Sequence, residues 1–239
     1  MPSGIATAAS TAAAATLAGA GLLAWAVRGR ASRLFGNSVW RGSNAIPQLA
    51  LTFDDGPSES TPDLLAILER HRVPATFFMC GRNVERCPNI ARQAVAAGHE
   101  PGNHSHTHPR FDFKSPEFIF QELATAQQII HATTGVTPRW FRAPYGVRWF
   151  GVGPAQQRLG LTGVMWTVIA RDWRWPSPRV VSRLLTNSSP GSILCLHDGR
   201  VLQPNPSIRT TLDAVEQAIP RLKDRGFQFV TLSQMFPSP

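Results

Sequence analysis

Cysteine is scarce in this 239-residue chain: only Cys80, Cys87 and Cys195 occur, and no two of them have CxxC spacing. An odd count without that spacing indicates neither a disulfide framework nor a cysteine zinc site, and buried small apolar thiols are the simpler reading. Lysine is scarcer still, with Lys114 and Lys223 alone among 24 basic residues, and Tyr145 is the only tyrosine. Charged residues reach just 16%, too few for a solvated disordered chain. No internal repeat of about 20–50 residues is present, which excludes a solenoid or propeller. The formal net charge of +9 raises an anionic partner. Its arginines are dispersed along the chain rather than blocked, so the charge does not mark a nucleic-acid binder. What the chain does have is apolar mass: 43% hydrophobic residues, with thirteen Phe and seven Trp, enough to fill one sizeable core.

Residues 4–27 carry no charge, are dominated by alanine, and are followed by Arg28, Arg30 and Arg33. That length suits a membrane span of about 20 residues. The small-x-small triplet Ala24-Trp25-Ala26 equally suits a cleaved signal peptide. Positive charge on the C-terminal side, with no Lys or Arg before the segment, would by the positive-inside rule place the C-terminal side in the cytoplasm. Residues 28–47 mix Gly, Ser and Asn without a period and read as a linker. Beyond them, short apolar runs alternate with amphipathic stretches. Strands are expected at 49–53, 75–79, 140–141, 163–167, 193–196 and 227–231, and helices at 62–71, 88–97, 116–133, 178–185 and 208–225. Repeated β-then-α units imply parallel strands with helical crossovers, hence a doubly wound sheet or a (β/α) barrel.

The unusual residues fall at the strand ends, where parallel α/β folds place their sites. Thr52-Phe53-Asp54-Asp55-Gly56-Pro57 sets two carboxylates directly after a buried strand, which is costly unless a metal or a catalytic role accounts for them. Gly102-Asn103-His104-Ser105-His106-Thr107-His108-Pro109 holds three of the seven histidines within five residues. His104 and His108, four apart, would face the same way on a helical turn and pinch a metal, leaving His106 as a supporting or substrate-facing group. One Asp and two His suit catalytic zinc, and Co, Ni, Mn or Fe(II) also fit. Hydrolysis of an ester or amide is the natural chemistry of such a centre. Arg142-Ala143-Pro144-Tyr145-Gly146 is a turn able to present a backbone N–H. Arg171-Asp172-Trp173 and Cys195-Leu196-His197-Asp198-Gly199 each follow an apolar run.

Taken in order, TFDDGP, GNHSHTHP, FRAPYG, RDW and ILCLHDG resemble the five motifs of the polysaccharide deacetylase family, the NodB-homology domain or carbohydrate esterase family 4. The resemblance covers residues 49 to about 236. It implies an α/β fold, a distorted (β/α) barrel of about seven parallel strands over residues 48–239, preceded by the hydrophobic segment 1–27 and the linker 28–47. The activity it implies is metal-dependent removal of N-acetyl groups from N-acetylglucosamine-type residues of a glycan such as peptidoglycan or chitin. An O-acetyl esterase acting on acetylxylan would use the same groups.

Carried over by motif, Asp55, His104 and His108 bind the metal, Zn first among the candidates. Asp54 is the general base on metal-bound water, with Arg142 orienting it. His197 is the general acid paired with Asp172. Tyr145 contributes its backbone N–H to the oxyanion, and Trp173 walls the acetyl pocket. Cys195 stands where the family usually has a leucine-type wall. An acid and a base flanking one centre need opposite protonation states, which an Asp–Arg pair and a His–Asp pair supply. A monomer at the cell envelope, held by its N-terminal segment or secreted, follows from the same resemblance, with a glycan and no nucleic acid as its partner.

Overall fold

The computed structural model describes residues 18–237. Its strands are β1 (Ser38–Val39), β2 (Gln48–Asp54), β3 (Thr76–Met79), β4 (Glu100–Asn103), β5 (Trp140–Phe141), β6 (Thr162–Val164), β7 (Val168–Ile169), β8 (Ser192–His197) and β9 (Gln228–Val230). The first helix, α1, occupies residues 18–28. It is followed by α2 (Thr61–Arg70), α3 (Gly81–Arg86), α4 (Pro88–Ala96), α5 (Pro116–Thr134), α6 (Val152–Leu159), α7 (Ser177–Asn187), α8 (Arg209–Asp224) and α9 (Leu232–Met235).

Period-2 alternation in β2 determines the rest. Leu49, Leu51 and Phe53 point outward into the main core, under the helices, with Leu64 and Leu68 of α2 and Val215 and Ile219 of α8. Ala50 points the other way, into an inner cluster with Phe78 of β3, Trp140 of β5 and Ile193 of β8. Thr52 and Asp54 share the inward parity of Ala50, and Cys195 and His197 share that of Ile193. The parallel register sets Thr52 opposite Cys195 and Asp54 opposite His197. One alternation therefore buries about 1.5–3 kcal/mol per large outward side chain and delivers the polar residues to the barrel interior.

The sheet runs β1-β6-β5-β4-β3-β2-β8-β7, with β9 pairing β2, and every strand pair is parallel. The strand expected at 163–167 ends at Val164 in β6, and a separate strand, β7, follows at Val168–Ile169, because here the chain crosses between the ends of the sheet. β6 pairs with β1 and β5, and β7 with β8. Met165 N donates to Val39 O at 2.8 Å, Thr167 N to Ile193 O at 2.9 Å, and Thr167 Oγ1 to Trp40 O at 2.8 Å, which draws the sheet into the distorted (β/α) barrel expected. β4 escapes a propensity reading because its sequence is Glu-Pro-Gly-Asn. Pro101 is tolerated since β5 joins β4 only at Asn103, one side being unpaired before that point.

Residues 28–47, expected to be a linker, contain β1 and hold to the barrel. Arg148 donates to Gly29 O, Ser32 O and Ser38 Oγ, and Arg30 Nη1 to Thr167 O. Of the anchor or signal expected at 1–27, residues 1–17 lie outside the described residues. α1 exposes Leu22, Leu23 and Trp25 and buries Ala26. Among the described residues no helix is long and apolar enough to cross a membrane.

Candidate active site

The strand ends converge on a pocket of about 460 Å³. Eight of the ten sequence-derived site residues line it: Asp54, Asp55, His104, His108, Tyr145, Trp173, Cys195 and His197. Arg142 and Asp172 stand behind, fully or almost fully buried.

Asp54 ends β2 with Oδ1 held by Arg142 Nη1 at 2.6 Å. Arg142 reaches it from β5 through the barrel interior. Its guanidinium also donates to Thr52 Oγ1 at 2.9 Å and lies 4.1 Å from the centroid of the Phe78 ring. Cys195 Sγ donates to Asp54 Oδ2 at 3.4 Å, so the small residue in the pocket wall touches the proposed base. Burial pushes the Cys195 thiol well above its usual range, and the nearby Asp54 charge adds to that. All three cysteines are free and buried.

Asp55 takes positive φ (73°) and turns its carboxylate to the histidines. Oδ1 lies 3.4 Å from His104 Nε2 and 3.0 Å from His108 Nε2, while Oδ2 accepts from Val201 N at 2.9 Å. Burial alone would raise its pKa. Hydrogen bonding to His104 and His108, with the charges of His197 and His108, outweighs burial and holds Asp55 well below the ordinary carboxylate value.

The His104/His108 pair is not on a helical turn, as the spacing suggested. Residues 104–109 form a loop with Ser105 at φ 65° and His108 at φ 58°, and Pro109 follows. Side chains rather than a helix fix this loop. Asn103 Oδ1 accepts from Ser105 N, Ser105 Oγ accepts from His108 N, and Glu122 of α5 accepts from His106 N, Thr107 N and Thr107 Oγ1 at 2.7–3.0 Å. α5 is itself well delimited, with Ser115 capping Phe118 N, Pro116 in its first turn and Gly135 at φ 76° ending it. His106 packs against Gly81 of α3: a Cβ there would lie 2.7 Å from His106 Nδ1.

Asp55, His104 and His108 fit a divalent metal. His104 Nδ1 is 2.7 Å from Arg142 O, which can only accept, so Nδ1 carries the proton. His104 then meets Asp55 either as an imidazolium or with its Nε2 lone pair facing a carboxylate across a cation. Ligands about 2.0–2.1 Å from a tetrahedral ion lie about 3.3 Å apart, close to the spacings found.

On the other flank, His197 Nδ1 lies 2.9 Å from Asp172 Oδ1, and Asp172 Oδ2 accepts from His197 N and Thr211 Oγ1. Burial disfavours the imidazolium, but Asp172, then Asp55 and Asp54, overcome it and raise His197 to about 9. The Trp173 ring meets His197 edge-on at 4.7 Å, and Tyr145, at φ 58°, lies 4.7 Å from the His108 ring.

Sequence reasoning missed the supporting groups. Trp166, Ile169, Arg200, Val201 and Gln203 also line the pocket. Asn83 Nδ2 ties Asp55 O to Val201 O at 2.6 and 2.7 Å. Asn83 and Glu122 look like ordinary helix residues in the sequence, and only the folded chain shows what they grip.

Residues 41–164 match the family model described as polysaccharide deacetylase. A chitooligosaccharide deacetylase of Bradyrhizobium sp. (strain ANU 289) is 41% identical over 194 residues, covering 77% of this chain and 89% of that one. A peptidoglycan-N-acetylglucosamine deacetylase of Bacillus cereus is 34% identical over 197 residues, covering 79% and 68%. The crystal structure of the Bc1960 peptidoglycan N-acetylglucosamine deacetylase superposes with a TM-score of 0.80 at 32% identity, covering 84% and 94%. The chain belongs to the polysaccharide deacetylase family, also known as carbohydrate esterase family 4. It is a hydrolase of that family.

Proposed function

We propose that the protein removes N-acetyl groups from N-acetylglucosamine residues of a glycan, with zinc, or Co, Ni, Mn or Fe(II) in its place, held by Asp55, His104 and His108. The observation that carries this reading is the register pair Asp54↔His197. It sets a carboxylate locked to Arg142 beside an imidazolium locked to Asp172, both facing the Asp-His-His set. When bound, the metal polarises the acetyl carbonyl and lowers the pKa of water.

The chain's own groups do the rest. Asp54, oriented by Arg142, takes the proton of the attacking water. His197 has Nδ1 committed to Asp172, so Nε2 gives its proton to the departing amine. The Tyr145 N–H binds the developing oxyanion. Trp173 and Cys195 bound the space for the acetyl methyl. The relatives' named substrates, a chitooligosaccharide and peptidoglycan N-acetylglucosamine, support this chemistry, and the peptidoglycan deacetylases among them support a place at the cell envelope.

Acetate release from N-acetylglucosamine oligomers tests the roles. Asp54→Asn and His197→Ala are expected to slow it by about 10²–10⁴-fold. Release as fast as the parent's by either variant would overturn the assignment.

A further inference from the structure

Beyond Asp172 and Trp173 the same strand-end loop gathers positive charge without compensation. Arg171 takes positive φ (60°) directly before the buried Asp172. Its guanidinium lies 5.2 Å from the centroid of the half-buried Trp175 ring, with Arg179 at 4.0 Å and Arg183 at 5.4 Å around the same ring. Arg179 and Arg183, one turn apart on α7, rise on one face. Arg183 Nε donates to Ile169 O at 2.6 Å, and Arg171, Arg174 and Arg179 are exposed.

Among the described residues, none of these four arginines comes within ion-pair distance of a carboxylate, whereas Arg70, Arg86, Arg110, Arg142 and Arg209 each do. Burial pushes the Arg183 guanidinium down, and the charges of Arg171 and Arg179 push it further. Trp175 orders the three cations by cation–π contact but neutralises none of them. Planar guanidinium forks held side by side match a carboxylate with two hydrogen bonds.

We propose that the arginines around Trp175 form a binding site for carboxylate groups carried by the glycan substrate, so that the enzyme prefers an anionic glycan over a neutral one. This rests on the deacetylase reading. Arg183 holds the carbonyl of Ile169, a residue that lines the pocket, and Arg171 directly precedes Asp172 and the half-exposed Trp173, so the cluster borders the pocket on its β7–α7 side, within reach of substituents of a bound glycan. A chitin oligomer offers the cluster nothing, whereas peptidoglycan carries carboxylates on its sugar and peptide substituents.

The test uses the full-length, zinc-loaded protein and peptidoglycan fragments with free carboxylates, the same fragments amidated, and N-acetylglucosamine oligomers of matched length. Titration calorimetry gives binding, and acetate release gives kcat and KM. The parent is expected to bind the free-carboxylate fragment about tenfold tighter than the amidated one, a preference that high salt removes. Arg171→Gln and Arg179→Gln should each erase most of that preference by raising KM, with turnover of the neutral oligomer unchanged. Arg179 lies on the exposed side of α7, so its variant keeps the test open if Arg171→Gln fails to fold.

Equal binding of free and amidated fragments by the parent overturns the site. So does a loss on both kinds of glycan alike in the arginine variants. A carboxylate preference without any acetate release would sink the deacetylase reading and leave the binding site standing; acetate release without the preference would do the reverse.

Discussion

Asp172 is the residue whose single charge most separates the two halves of the chemistry. It holds His197 through both ring and backbone, and with Asp55 and Asp54 raises the imidazole to about 9 against burial. An imidazole whose pKa rises on folding gives its full stabilisation below pH 6.5, and that contribution is lost as pH climbs through about 9. Catalysis by the protonated form should fail over the same interval. The alkaline limb of kcat is therefore expected near pH 9, and Asp172→Asn should move it to lower pH while reducing kcat by about 10²-fold or more. An alkaline limb unmoved by that substitution would show that Asp172 does not set the protonation of His197.

Among elements, the histidine loop depends on a helix that carries no ligand. Glu122 of α5 accepts from His106 N, Thr107 N and Thr107 Oγ1, so α5 orients His104 and His108 without touching a metal. Supporting partners of this kind commonly change metal affinity by about 10–100-fold. Glu122→Gln is expected to weaken zinc binding by that amount in chelator-competition titrations, and unchanged affinity would assign Glu122 to the fold alone. Sequence reading separated these levels unevenly. β2 and β8 were legible because each is a short apolar run that ends in polar residues, a signal carried by neighbours in sequence. The loop at 104–109 was misjudged as helical because i,i+4 spacing says nothing about Ser105 and His108 at positive φ. β4 hid behind Pro101 and Gly102, and the strand expected at 163–167 stops at Val164 because closure of the barrel, a long-range demand, overrode local β-propensity.

For the whole molecule, the ordered motifs announced the site, since they stand at the ends of β2, β4, β5, β7 and β8. The supporting residues were not legible, because Asn83, Glu122 and Thr211 acquire their roles only through contacts far apart in sequence. The net charge of +9 also gains a location: part of it is concentrated around Trp175, where dispersed arginines in the sequence become neighbours through the turn after β7 and the pitch of α7. The proposed centre is one in which Asp55, His104 and His108 would hold a divalent ion, with Asp54 and His197 lining the same pocket. The most direct measurement is acetate release from N-acetylglucosamine oligomers by the full-length protein, before and after metal stripping and upon zinc titration. Release should vanish on stripping and return with about one equivalent of zinc; release that continues undiminished in the stripped protein, or zinc uptake that restores nothing, would contradict the account.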